Sequence, residues 1–131
     1  MTLVLDANVV VVECAVPNSF ERLGSEELVA PPLMWSEACS SIHEAVWRRE
    51  ITSEVGRQLL TFVEEVPVRR QNPRRLRSEA WRIAEEFGWA KTYDAEYVAL
   101  AELLGCRLVT LDGRLWRATR RLGFVISMGE L

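Results

Sequence analysis

The sequence predicts an α/β fold, a central parallel sheet with helices covering both faces, and three observations lead to it. Short β-rich or apolar runs at 2–5, 28–30, 66–69, 107–111 and 124–127 alternate with longer segments of helical period, which is how crossover units build a parallel sheet. One helical segment, 93–104, is apolar on nearly every side and must be buried. A chain of 131 residues with 49% apolar content is long enough for one sizeable core and too short for two ordinary ones, so 1–131 is read as a single domain.

Taken in order, Thr2 to Leu5 forms the first strand and ends at Asp6. The next stretch, Asn8 to Ala15, is apolar enough to be buried, and periodicity leaves a helix and a continuing strand both open. Pro17, Asn18 and Ser19 break it, and Leu28 to Ala30 is a second strand before Pro31 and Pro32. From Leu33 to Glu50 an apolar stripe of Trp35, Ala38, Ile42 and Val46 opposes a polar one of Glu37, Ser40, Ser41 and Glu44. Thr52 caps a further helix to about Val66 with Val55, Leu59, Leu60 and Val63 facing inward. Val66 to Arg69 is a third strand. Asn72 and Pro73 then supply a cap and first-turn proline for a helix closing at Gly88, whose inner face holds Leu76, Ala80, Ile83, Ala84 and Phe87. Thr92 caps the buried helix from Tyr93 to Leu104, which Gly105 stops. The strand Arg107 to Leu111, a helix from Arg114 to Leu122 and a last strand from Phe124 to Ser127 complete the chain.

Composition narrows the function. No uncharged apolar run reaches membrane-spanning length, and the N-terminus lacks a signal-peptide pattern, so the protein is expected to be soluble and cytoplasmic. Cys14, Cys39 and Cys106 are three cysteines without a C-x-x-C pair and read as reduced core residues. His43 is the only histidine and falls on a helix face, which argues against histidine-based triads and zinc sites. A net charge of −3 excludes nucleic-acid binding by bulk electrostatics alone. Local patches are another matter, because arginines cluster at 69–77 and 114–121.

Aspartate is the informative residue. Against 19 acidic residues in all, only Asp6, Asp94 and Asp112 are aspartates, each where an apolar run meets a turn or helix start. Parallel sheets bind ligands outside the carboxyl ends of their strands, and Asp6 and Asp112 follow strands directly. Asp94 lies in the first turn of the buried helix, and Glu37, on the helix after the second strand, is the best fourth member. Each has an ordinary role too: a helix cap for Asp6, a dipole partner for Asp94, an Asp-Gly turn for Asp112, a solvated helix face for Glu37. Together they describe a carboxylate cluster that needs a cation to neutralise it, and all-oxygen ligands favour Mg²⁺ or Mn²⁺ over zinc. Such a centre suits hydrolysis of a phosphodiester.

Val4-Leu5-Asp6-Ala7-Asn8-Val9, Trp35-Ser36-Glu37-Ala38, Tyr93-Asp94-Ala95-Glu96-Tyr97-Val98-Ala99-Leu100-Ala101 and Leu108-Val109-Thr110-Leu111-Asp112-Gly113-Arg114-Leu115, in this order across the chain, resemble the PIN-domain family, and within it the VapC-type ribonuclease toxins. The resemblance implies a three-layer α/β/α domain and Mg²⁺- or Mn²⁺-dependent RNA cleavage. It places Asp6, Glu37, Asp94 and Asp112 as catalytic, metal-binding acids with Thr110 as a supporting hydroxyl. It further implies a homodimer and a cognate antitoxin that reaches the acidic pocket. Where some members carry another acidic or amide residue after the last aspartate, this chain has Leu115 and Trp116, so a second metal position is left open.

Arg114, Arg117 and Arg121 fall at helical spacing beyond Asp112 and offer an RNA backbone groove, or a solvated helix face. Trp35 and Trp81 sit on or near core stripes, while Trp47 and Trp89 are available to a dimer or antitoxin surface. Two other readings compete. A phosphoaspartyl phosphatase of the haloacid dehalogenase kind, like a receiver domain, needs paired early acids and a late strand-end lysine, where this chain has Asn8 and Lys91. A PIN-like scaffold without catalysis would have no use for four mutually repelling acids.

Overall fold

The computed structural model describes residues 1–16, 18, 20–24 and 26–131, with the backbone only at Arg22. The break expected at 17–19 therefore lies partly outside the described residues, at Pro17 and Ser19. Five strands, β1 (Thr2–Leu5), β2 (Glu27–Ala30), β3 (Arg69–Arg70), β4 (Arg107–Thr110) and β5 (Val125–Ser127), form one sheet in the order β3-β2-β1-β4-β5. Every pairing is parallel. Among the described residues six α-helices accompany it: α1 (Ala7–Cys14), α2 (Leu33–Trp47), α3 (Ser53–Glu64), α4 (Leu76–Phe87), α5 (Tyr93–Leu104) and α6 (Gly113–Ala118).

Right-handed crossovers from β1 through β2 to β3 carry their helices onto one face, and the return to β4 carries α4 and α5 across the other. The packing agrees: α1, α2 and α3 touch one another, α4 and α5 form a pair, and α5 lies against β1 and β4. The sheet is thus covered on both sides, which explains why Leu3, Val4, Leu5, Leu108 and Val109 make unbroken apolar runs and are almost fully enclosed. The largely apolar segment is α5 as expected, with Ala95, Tyr97, Val98, Ala99, Leu100 and Ala101 excluded from solvent. The open choice after Asp6 resolves as the helix α1, which starts with no intervening loop.

Chain direction changes sides at β1, whose neighbours β2 and β4 lead away in opposite directions. The crevice at a switch of this kind, beyond the carboxyl ends of β1 and β4, is where an α/β sheet presents its site.

Several boundaries differ from expectation for identifiable reasons. The third strand is Arg69–Arg70 and not Val66 to Arg69, and the Gln71 N–H still bonds the Ala30 carbonyl at 3.0 Å. That bond keeps the chain extended past Arg70, so Asn72 and Pro73 do not start the helix; α4 begins at Leu76, where its N–H meets the Pro73 carbonyl. Thr92 makes no side-chain cap, whereas Thr52 accepts from the Val55 N–H at 3.1 Å as expected. The helix expected over Arg114 to Leu122 stops at Ala118, because the Thr119 hydroxyl bonds the Leu115 carbonyl at 2.7 Å and a 3₁₀ turn follows at Arg120–Leu122. Trp81 is exposed and not part of the core stripe. Among the described residues no helix is long and apolar enough to cross a membrane.

The inner face of α3 is also rotated. Val55 and Leu60 are exposed, and Gly56, Leu59 and Val63 face inward instead. Gly56 is the cause: a Cβ there would overlap Val46 Cγ2 of α2, so its absence lets the two helices close on each other. Gly56→Ala therefore has opposite effects to weigh. Helix propensity favours alanine by about 1 kcal/mol, but Val46 is β-branched and stiff within a helix, so the overlap must be relieved by moving the helices. We expect a net destabilisation of about 1–3 kcal/mol, read as a lower urea midpoint; an unchanged or higher midpoint would mean that α2 and α3 pack less closely than described.

Candidate active site

Asp6 is the first residue past β1 and the N-cap of α1, with extended backbone at φ −70°, ψ 153°. It is 6% exposed. Its Oδ1 accepts from the Ala7 N–H at 2.8 Å; its Oδ2 accepts from the Thr110 hydroxyl at 2.7 Å and from the Asn8 side-chain amide at 3.4 Å. Thr110 ends β4, and because Leu5 pairs with Val109, the next step of the register sets Asp6 beside Thr110. The same hydroxyl accepts from the Asp112 N–H at 3.0 Å. Asn8 closes the tie from the other side, accepting from the Leu111 N–H at 3.1 Å.

Asp112 is the N-cap of α6 and accepts from the N–H groups of Arg114 and Leu115 at 2.9 and 3.3 Å. Its turn role is real, and it keeps the carboxylate at the edge where β4 ends. Asp94 occupies the first turn of α5. Glu37 is half-buried on α2 and accepts from the Tyr97 hydroxyl at 2.5 Å.

The acids sense one another. Burial, followed by the charges of Asp94 and Glu37, raises Asp6 to about 6 from an ordinary 3.8, against the lowering bonds from Thr110 and Ala7. Burial and then the Asp94 charge raise Glu37, although the Tyr97 hydrogen bond lowers it. Asp94 is raised by desolvation and by the Asp112 charge, and the nearby Arg114 pulls it back. Charge coupling links the four expected acids, Asp6 with Glu37 and Asp94, Glu37 with Asp94, and Asp94 with Asp112. Among the described residues no three His, Cys, Asp or Glu side chains are arranged to hold a metal ion.

The basic residues are less gathered than their spacing predicts. Arg114 reaches the electrostatic range of Asp94, and the Arg117 guanidinium packs beside Gly113. Arg121 turns away: it pairs with Glu86 at 3.3 Å and lies over the Phe87 ring at 4.6 Å. In the earlier cluster Arg69 pairs with Glu27, Arg75 with Glu79, and Arg70 covers the Trp35 ring.

Tyr97 and Asn8 are site residues that sequence reasoning passed over. A phenol on a helix with no polar inner face needs an acceptor, and that was the available signal for Tyr97. Asn8 also removes the phosphatase reading, because it serves as a tie between the strand ends, and Lys91 stands on the turn before α5 and not at the end of a strand.

Residues 3–121 match the PIN domain family. The chain belongs to the PIN-domain family. It is 35% identical over 95 residues to ribonuclease VapC9 of Mycobacterium tuberculosis, covering 72% of each chain. It is also 35% identical over 94 residues to ribonuclease VapC12 of the same organism, covering 72% of this chain and 70% of that one. Among solved structures, PAE2754 from Pyrobaculum aerophilum superposes with a TM-score of 0.76 at 24% identity, covering 99% of this chain and 94% of the other. A chain of a toxin-antitoxin complex from Klebsiella pneumoniae does so at 0.61 and 15%, covering 95% of both. These two likenesses carry the fold of the PIN domain.

The raised Asp6 has a consequence for stability. A carboxyl whose folded value lies above its unfolded one contributes fully below about 3.8 and loses that contribution as pH rises through about 6. Asp6→Asn keeps the acceptor and removes the charge. In EDTA, urea unfolding should find the variant more stable than wild type by about 1–3 kcal/mol at pH 8, with no gain at pH 3.5. A gain independent of pH would show that charge burial is not the source.

Proposed function

We propose that this PIN-domain protein is a metal-dependent endoribonuclease, the toxin of a type II toxin-antitoxin pair. The observation that carries the reading is the electrostatic coupling of Asp6, Glu37 and Asp94, each raised by burial and then by neighbouring acid charge, with Asp112 acting on Asp94 from the end of β4. Its likeness to ribonucleases VapC9 and VapC12 supports the substrate class.

The donor set fits Mg²⁺ or Mn²⁺: it is all carboxylate oxygen, and its mutual repulsion is what a divalent cation relieves. Asp6, Glu37, Asp94 and Asp112 would hold the ion. Bound there, a divalent ion supplies Lewis acidity and water activation for phosphodiester hydrolysis. The protein's part is placement. Thr110 and Asn8 hold the Asp6 carboxylate, Tyr97 holds Glu37, and the cap bonds of α6 hold Asp112. Arg114, beside Asp94, is placed to take a phosphate oxygen, with Arg117 one helical turn on. In the reaction a water oxygen bonds to phosphorus, the P–O ester bond breaks, and the departing ribose oxygen takes a proton.

An RNA substrate and a cognate antitoxin follow as partners, with a homodimer and a cytoplasmic location. The exposed apolar side chains Val55, Leu60 and Phe62 on α3, and Trp47 at the end of α2, support a protein partner. A non-catalytic PIN scaffold is favoured by one observation, the unclosed arrangement of the acids.

Cleavage of single-stranded RNA with Mg²⁺ or Mn²⁺ should fall by at least about 100-fold in Asp6→Asn and in Asp94→Asn, with folding intact by circular dichroism. Retained activity in both variants would remove the mechanism. Calorimetric titration should show divalent binding to wild type and weaker binding to Asp6→Asn; no binding and no cleavage together would favour the scaffold. Tyr97→Phe, which frees Glu37, should lower kcat more than it raises KM.

A further inference from the structure

A cavity of about 450 Å³ is lined by Glu37, Trp89, Lys91, Tyr93 and Asp94 together with the turn before α5. We infer that this cavity receives one unpaired RNA base next to the phosphodiester that is cut, an inference that rests on the ribonuclease reading above. Its volume is that of a small-ligand site. Two of its walls, Glu37 and Asp94, are acids of the proposed centre, so an occupant here is a direct neighbour of the reacting phosphate.

The aromatic side chains are held in place. Gly88, at φ 70°, closes α4 with the Trp89 N–H on the Ala84 carbonyl at 2.8 Å and the Gly88 N–H on the Glu85 carbonyl at 3.2 Å. Both bonds of this helix stop fix where Trp89 leaves the helix. Trp89 then stacks on Phe87, centroids 5.0 Å apart at 21°, and Arg121 backs Phe87 on its ring. The column Arg121, Phe87, Trp89 ends at the cavity, and a base extends it by one more ring. Tyr93, the residue before Asp94, is 50% exposed and offers a second aromatic surface. Bases stack on such side chains without regard to sequence.

Charge selects the occupant. Carboxylates in the wall repel a phosphate, whereas an uncharged base meets no such penalty. Lys91, the chain's single lysine, is exposed on the same cavity and is the group for the adjoining phosphate. A paired base presents no free face to Trp89, so the site takes single strands or looped-out nucleotides.

The test is fluorescence anisotropy with the full-length protein in EDTA, so that binding is read without cleavage, using short labelled single-stranded RNA and the duplex of the same sequence. Trp89→Ala and Tyr93→Ala should each weaken single-strand binding about tenfold, and Trp89→Phe should return it to within about twofold of wild type. Lys91→Gln should reduce the salt slope of log K by about 0.7. Equal affinity of wild type for duplex and single strand, or wild-type affinity in both Trp89→Ala and Tyr93→Ala, overturns the inference. A parallel assay with Mg²⁺ separates the two readings. If wild type cuts RNA and neither variant raises KM, the base cavity alone fails. If wild type cuts no RNA, the ribonuclease reading fails.

Discussion

The register between β1 and β4 fixes the geometry on which the site depends. Leu5 lies opposite Val109, and one step further an almost fully enclosed carboxylate meets a threonine hydroxyl. That hydroxyl donates to Asp6 and accepts from the backbone of Asp112, using both its capacities at once. A slip of one residue would send Thr110 to the other face of the sheet and leave Asp6 without its strongest neutral donor. Both strands are buried on both faces, so the hydrophobic core opposes such a slip, and the core is in this sense what aligns the acids.

Function and stability pull against each other here. Asp6, Glu37 and Asp94 are each raised, first by burial and then by neighbouring acid charge, and Glu96 on α5 is raised by burial with a smaller part from Glu37. Three of the four acids have local hydrogen-bond donors that offset the repulsion: a helix N-terminus for Asp6 and Asp112, a phenol for Glu37. The same contacts that make Asp6 and Asp112 look like plain helix caps are what hold them at the strand ends.

Much of this was legible from residues alone. Unbroken apolar runs identified β1, β4 and α5, and the scarcity of aspartate picked out three of the four acids. What escaped was set by contacts distant in sequence. The rotation of α3 follows from Gly56, a residue that carries no hydrophobic signal. Asn72 and Pro73 have the right chemistry for a helix start, but the bond from Gln71 to Ala30 delays it. Tyr97 and Glu37 are 60 positions apart, and Arg121 is drawn from the site by Glu86 on a different helix. Local pattern reports what a residue prefers, and long-range partners decide which preference is met.

The two outer strands of the sheet are its shortest, with Arg69–Arg70 at one margin and Val125–Ser127 at the other. Arg69 is tied to Glu27 across the first margin, and Ser127 turns at once into a capped 3₁₀ segment at the second. Neither margin presents a long unpaired backbone that a foreign strand can zip onto. The short margins spare the sheet from runaway edge-to-edge growth and leave its helical flanks as the broader surfaces.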